Sequence, residues 1–223
     1  MRLVIGAQST SLFYKATLAG WLFVLDEYLC IQMSTPLKDH IQKFIALSKE
    51  DYDVVASFFQ PLTVKKKQSL LEEGQICRHH YFVEKGILRL FYINEKGVEH
   101  TTQFALENWW LTDHMSYQNQ QPSAFNIQAV ETADVLAIGL EEQARLLQQV
   151  PPMEKYFRII YQKAYAANQF RIKYIYELSS EESYDNFAAK NPGFVQRIPQ
   201  YLLASYLGFT PEYLSELRRK KMG

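Results

Sequence analysis

From Pro61 to Gly139 the chain is cut into short apolar runs by turn residues, and this constrains the fold more than anything else in the sequence. The segment LTVKKKQSLLEEGQICRHHYFVEKGILRLFYINEKGVEHTTQFALE is punctuated by Gly74, Gly86 and the turn Asn94-Glu95-Lys96-Gly97. Such spacing is that of strands joined by tight turns. Leu88 to Ile93 is apolar or aromatic at nearly every position, as in a strand covered on both faces. A further pair, AFNIQAV and DVLAIG, brings the set to Gly139. Many strands with no helix between them predict an antiparallel barrel or two-sheet roll.

Helical patterns flank this block. Leu37, Ile41, Phe44 and Ile45, then Tyr52, Val55 and Phe58 behind a Ser48-x-x-Asp51 cap, predict two short helices, with Pro36 at a first position after Ser34 or Thr35. Beyond Gly139 helix returns, is interrupted at Pro151-Pro152, and continues to about Leu178. Positions 153, 157, 160, 164, 167, 171, 174 and 178 form a four-three alternation broken by Arg171 alone. Met153, Phe157, Ile160, Ala164, Ala167 and Tyr174 are therefore the expected seam of a homodimer, with a helix lying on its own roll as the alternative. After Asn191-Pro192-Gly193, Pro199 opens a helix carrying Leu202, Leu203 and Tyr206. Gly208 supplies a tight turn, Thr210 caps the next helix and Pro211 starts it. Ala204, Gly208, Leu214 and Leu217 stand where helix-turn-helix units place a small residue, a turn glycine and two packing residues.

The 24 Lys plus Arg balance 24 Asp plus Glu, so no global field points to nucleic acid or membrane. Residues 193–223 alone are basic, with five bases against two acids, a local excess suited to phosphates. With 14 Phe and 15 Tyr the composition is that of a folded protein. Cys30 and Cys77 lack metal-ligand or disulfide-framework spacing, and a reducing cytoplasm is expected. The apolar stretch Ala16–Leu25 is too short to span a bilayer, and Met33 is the expected native start, with residues 1–32 a non-native leader and an N-terminal arm packed on the body as the alternative.

From about Leu37 onward the chain resembles the Crp/Fnr family of bacterial transcription regulators. YFVEKGILRLFYINEKGVEHTTQFALENWW resembles the centre of the family's β-roll, with Val83-Glu84-Lys85-Gly86 at its glycine turn, and IPQYLLASYLGFTPEYLSELRRK resembles the helix-turn-helix of a Bacteroidota-type branch. The resemblance implies an α+β protein: a cyclic-nucleotide-binding-like jelly-roll sensor with N-terminal helices (33–140), a linker and long dimerisation helix (141–180) and a DNA-binding domain (181–223). It implies double-stranded DNA, a second copy of the chain, a small-molecule effector and RNA polymerase as partners, with no membrane. No cofactor, metal or enzymatic activity is expected, since paired-carboxylate, Ser/His/Asp, Cys/His and phosphate-loop arrangements do not stand out.

Two departures qualify this. The family's phosphate cassette has a Phe-Gly-Glu segment and an Arg-Ser pair, where this chain has Trp109-Trp110-Leu111-Thr112-Asp113 and Pro122-Ser123-Ala124. Without the arginine a buried phosphate is poorly compensated, so cyclic AMP is not the expected effector. Trp109, Trp110, Asp113, His114, Tyr117 and Ser123 are the candidate pocket residues, with packing as the alternative for the tryptophans; His79, His80 and His100 are expected at the surface. The reading helix also keeps only Glu212 of the Arg-Glu…Arg pattern of well-known members. Thr210, Glu212, Tyr213 and Ser215 are then expected to face the groove, with Arg218, Arg219 and Lys220 on phosphates. A binding or interaction module that no longer reads DNA is the competing class.

Overall fold

The computed structural model describes residues 35–222; the leader, Cys30 and the proposed start at Met33 lie outside the described residues. Two helices come first, α1 (Thr35–Gln42) and α2 (Lys49–Ser57). The predicted cap is present: Ser48 Oγ accepts from Asp51 N at 3.0 Å while the Asp51 carboxylate accepts from Ser48 N at 3.4 Å.

Eight strands follow: β1 (Gln60–Val64), β2 (Ser69–Leu71), β3 (His79–Lys85), β4 (Leu88–Ile93), β5 (Glu99–Ala105), β6 (Trp110–Leu111), β7 (Asn126–Ala129) and β8 (Ala133–Gly139). They form two four-stranded antiparallel sheets, β1-β8-β3-β6 and β2-β7-β4-β5. The expected two-sheet roll is what the chain adopts. Alternation along β3 sorts its side chains: Tyr81 and Val83 pack between the sheets with Leu88, Leu90, Leu111 and Ile127, whereas Phe82 points to the helices. β4 is buried on both faces from Leu88 to Phe91 and emerges at Tyr92 and Ile93. The turn between β3 and β4 needs glycine. Gly86 has φ +89, and a Cβ there would lie 2.6 Å from Thr132 O and 2.7 Å from Ala133 Cα.

One helix interrupts the strand region against expectation. α3 (His114–Asn119) forms because Asp113 caps it, accepting from Met115 N at 3.1 Å and Ser116 N at 3.3 Å. After β8 come α4 (Leu140–Gln149) and the long helix α5 (Pro152–Glu177), 26 residues and thus about 39 Å. Its first turns close the roll. Met153, Tyr156 and Phe157 join Leu37, Ile41, Val55, Phe82, Trp110 and Leu146 in one core over the outer face of the β1-β8-β3-β6 sheet. Each such side chain contributes about 1.5–3 kcal/mol on full burial. From Gln162 to Phe170 every residue of α5 is exposed.

The terminal region holds four helices rather than a pair: α6 (Ser180–Lys190), α7 (Pro192–Arg197), α8 (Gln200–Leu207) and α9 (Pro211–Met222). The stretch before Asn191, polar in sequence, is helical because Ser179 and Glu182 make a reciprocal capping box at its start. Pro199 is the residue before α8 and not its first helical position. The terminal helices share a third core with the roll: Ile87, Phe104 and Val130 pack with Tyr184, Phe194, Ile198, Leu202, Leu203, Leu214 and Leu217. Phe104 meets Phe194 and Tyr206 at ring distances of 5.1 and 5.3 Å.

Candidate functional site

The terminal helix pair is built as its sequence predicts. Gly208 has φ +80 and its N–H returns to carbonyls of α8, while Phe209 N donates to Ala204 O at 2.8 Å, ending the helix in a left-handed turn. Thr210 Oγ1 accepts from Tyr213 N at 3.2 Å and so caps α9. Ala204, Leu214 and Leu217 are buried between the helices. This leaves Thr210, Glu212, Tyr213, Ser215 and Arg219 on the open face, with Arg218 half-buried. Tyr213 leans on Phe209, ring centroids 5.5 Å apart. Lys220 reaches Glu216 across one turn at 3.3 Å, an exposed pair of little energetic weight that leaves its charge available.

The six candidate pocket residues do not converge on one cavity. Trp109 is 53% exposed, whereas Trp110 turns into the helical core and its Nε1 donates to Tyr156 Oη at 2.9 Å. The same Tyr156 hydroxyl is hydrogen-bonded to His40 Nδ1 at 2.8 Å, the donor being set by the imidazole tautomer. Burial, with help from Lys43 and Lys163, pulls the His40 pKa down to about 4. Tyr117 lies between the sheets and donates to Gln143 Oε1 at 2.9 Å. Asp113 and Ser123 do meet. Ser123 Oγ donates to Asp113 Oδ2 at 2.7 Å and accepts from Phe125 N at 3.0 Å, so both groups are satisfied by the chain itself.

The acid buried in that corner, Asp113, presents a carboxylate where a phosphate would need a cation. A groove of about 500 Å³, lined by none of the six, lies against Leu70, Leu71, Ile76, Arg78, His79 and Tyr81. His80 corrects the surface expectation for the histidine pair. It is 1% exposed, stacks on Tyr161 of α5 with centroids 5.9 Å apart, and lies beside Trp110, Tyr117 and His114. Burial drives its pKa well down and also lowers that of His114. Among the described residues no group of three or more His, Cys, Asp or Glu is placed to hold a metal ion, and Cys77 is a buried free thiol.

On the long helix the expected seam divides. Met153 and Phe157 are buried in the chain's own core and Ile160 is partly covered by it. Ala164 and Ala167 are exposed and Tyr174 is half-buried. Arg171, the residue that interrupts the seam, turns inward: its guanidinium donates to Thr102 O and to Tyr206 O and lies 4.4 Å from the Tyr206 ring centroid. A second apolar stripe, Tyr165, Ile172, Ile175 and Tyr176, faces solvent at 48–87% exposure.

Residues 61–150 match the model of the cyclic nucleotide-binding domain. The match spans the strand region and α4. Three solved structures share the fold of the cyclic-nucleotide-binding-type roll together with its helical tail. FixK2 of Bradyrhizobium japonicum aligns at 11% identity and TM-score 0.63 over 73% of this chain and 83% of that one. CLP, the c-di-GMP-responsive global regulator of Xanthomonas campestris, aligns at 12% and 0.61 over 78% and 92%. A transcriptional regulator assigned to the Crp/Fnr family in Eubacterium rectale aligns at 16% and 0.60 over 78% and 83%. The chain therefore resembles the Crp/Fnr regulators in fold from roll to terminal helices. No curated protein sequence matches it. Among the described residues no helix is long and apolar enough to cross a membrane.

Proposed function

We propose that the chain is a DNA-binding transcription regulator of the Crp/Fnr type, acting as a homodimer and controlled, if by a small molecule, by one other than a cyclic nucleotide. The observation that carries this reading is the α8–α9 pair. Its apolar positions are consumed by packing, and its open face presents Thr210, Glu212, Tyr213 and Ser215 ahead of Arg218, Arg219 and Lys220. Side chains on the first turns of such a helix reach base edges, and cations at its far end reach phosphates. Glu212 suits cytosine N4. The roll's buried Asp113, with Pro122 at the arginine position, argues against a bound cyclic phosphate.

Dimerisation is assigned to α5. Ala164 and Ala167 allow close approach, and the neighbouring stripe of Tyr165, Ile172, Ile175 and Tyr176 supplies apolar surface that a second copy would cover. Two reading helices related by such an axis would address half-sites about 34 Å apart on one face of the duplex. RNA polymerase is the partner through which a regulator of this class would act, and the cytoplasm is its proposed location.

The test uses sites selected from a random duplex library and anisotropy at several salt concentrations. Glu212→Ala is expected to relax specificity at one base pair, with about 1–3 kcal/mol of discrimination lost there. Arg219→Ala is expected to weaken all sequences alike and to lower the salt slope by about one. Equal effects of both substitutions on every sequence would remove the assignment. A dimer with no salt-sensitive binding would make the terminal helices an interaction module instead.

A further inference from the structure

Three turns at one end of the roll form an acidic seat for the terminal helices. Glu107, between β5 and β6, is held by its own scaffold: Gly86 N donates to Glu107 Oε1 at 2.9 Å. Arg197, the last residue of α7, then grips the same carboxylate with both arms, Nη1 to Oε2 at 2.9 Å and Nη2 to Oε1 at 2.7 Å. Nη2 also donates to Glu131 in the turn between β7 and β8. That turn is pressed against Gly86, whose missing side chain is what lets Thr132 approach. One guanidinium therefore ties the reading unit to two different loops of the sensor, in the bidentate geometry that arginine alone provides.

Followed away from the seat, both loops lead to the same place. Six residues on from Glu107, through β6, stands Asp113; eight residues back from Glu131, through β7, stands Ser123. These two are joined by the 2.7 Å hydrogen bond in the buried corner where the family's effector cassette falls. The two segments belong to different sheets and share no ladder, so they are pinned to each other at one end by Asp113–Ser123 and at the other by Arg197. Val130, just before Glu131, also lies in the core shared with the terminal helices.

We propose that Arg197 is a latch whose closure reports the state of the Asp113–Ser123 pin, so that a molecule separating that pair loosens the hold on the reading unit. The latch is suited to switching because it is accessible. The side chains of Arg197, Glu107 and Glu131 keep 36%, 32% and 35% of their exposure, and a screened ion pair of this kind adds little to stability while fixing an orientation. A ligand acts through it only to the extent that it binds the unpinned form more tightly.

The experiment is a mutant cycle on the full chain read by amide hydrogen exchange: the parent, Arg197→Gln, Ser123→Ala and the double variant, with Glu131→Gln as a milder opening that leaves the Glu107 pair in place. Arg197→Gln is expected to speed exchange of α7 and α8 amides at least fivefold, and Ser123→Ala to do the same from the far end of the roll. The double variant should equal Arg197→Gln alone. Exchange changes from Ser123→Ala confined to α3 and its neighbours, or additive effects in the double variant, would overturn the latch. The coupling rests on the proposed function only for its use. DNA affinity of the same proteins separates the two: coupled exchange with no DNA binding in any variant removes the regulator and leaves the latch, whereas DNA binding with uncoupled exchange does the reverse.

Discussion

The roll and the terminal helices are stabilised on different terms. The roll fills both of its cores largely from its own strands and from α1, α2, α4 and the start of α5. The terminal helices cannot complete theirs alone, because Ile87, Phe104 and Val130 of the roll lie within it. A unit that borrows its core is held in place by apolar contact first and by Arg197 and Arg171 second. The difference teaches that the roll's sheet is a structural part of the terminal unit, so the long helix is not the sole link between them.

Removing the borrowed ring breaks the comparison most directly. Phe104→Ala should cost about 3–5 kcal/mol and split one thermal transition into two, the terminal helices melting first; a single transition merely shifted downward would mean the regions are not separable. Acid probes the other side, since all five histidines lie in the roll or the helices packed on it and none in residues 141–223. His40 is held to about pKa 4 and His80 is also well depressed, so the unfolded chain takes up protons first as pH falls. Stability from these groups is complete above about pH 6.5 and is lost as pH drops toward 4, by on the order of 1–2 kcal/mol for His40 after allowing for its partial exposure. Chemical denaturation followed between pH 7 and 4 should show this loss in the roll. His40→Gln, keeping a polar partner for Tyr156, should remove the His40 share of it and leave that of His80. The smallest effect sharpens the boundary: Ser48→Ala removes one cap of α2 and should cost about 1 kcal/mol, with exchange of the α8 amides unchanged.

Most of the architecture was legible in the chain because turns and caps are local. Gly86, Gly208, Thr210 and the Ser48–Asp51 box act within a few residues and do in the structure what their identities predict. α6 carries an equally local signal, the Ser179–Glu182 box, which its polar surroundings conceal. The pocket residues were not legible. β6 is two residues long, too short for alternation to declare which way Trp109 and Trp110 point, and neighbours in sequence part to solvent and to core. The seam misleads for a related reason. Heptad spacing marks one face of a helix without saying what covers it, and here the face meets the chain's own roll at Met153 and Phe157 and its own carbonyls at Arg171.

β5 ends its sheet, and an outer strand offers its unpaired amide and carbonyl groups to any other chain that can add a strand. In this molecule those groups are answered from the terminal helices and the long helix: Thr101 N donates to Ser205 Oγ at 2.9 Å, Ser205 Oγ donates to Glu99 O at 2.8 Å, and Arg171 takes Thr102 O. The docked helix α8 is thus also a guard against aggregation, and a form with the terminal helices swung away would be the one prone to assemble edge to edge.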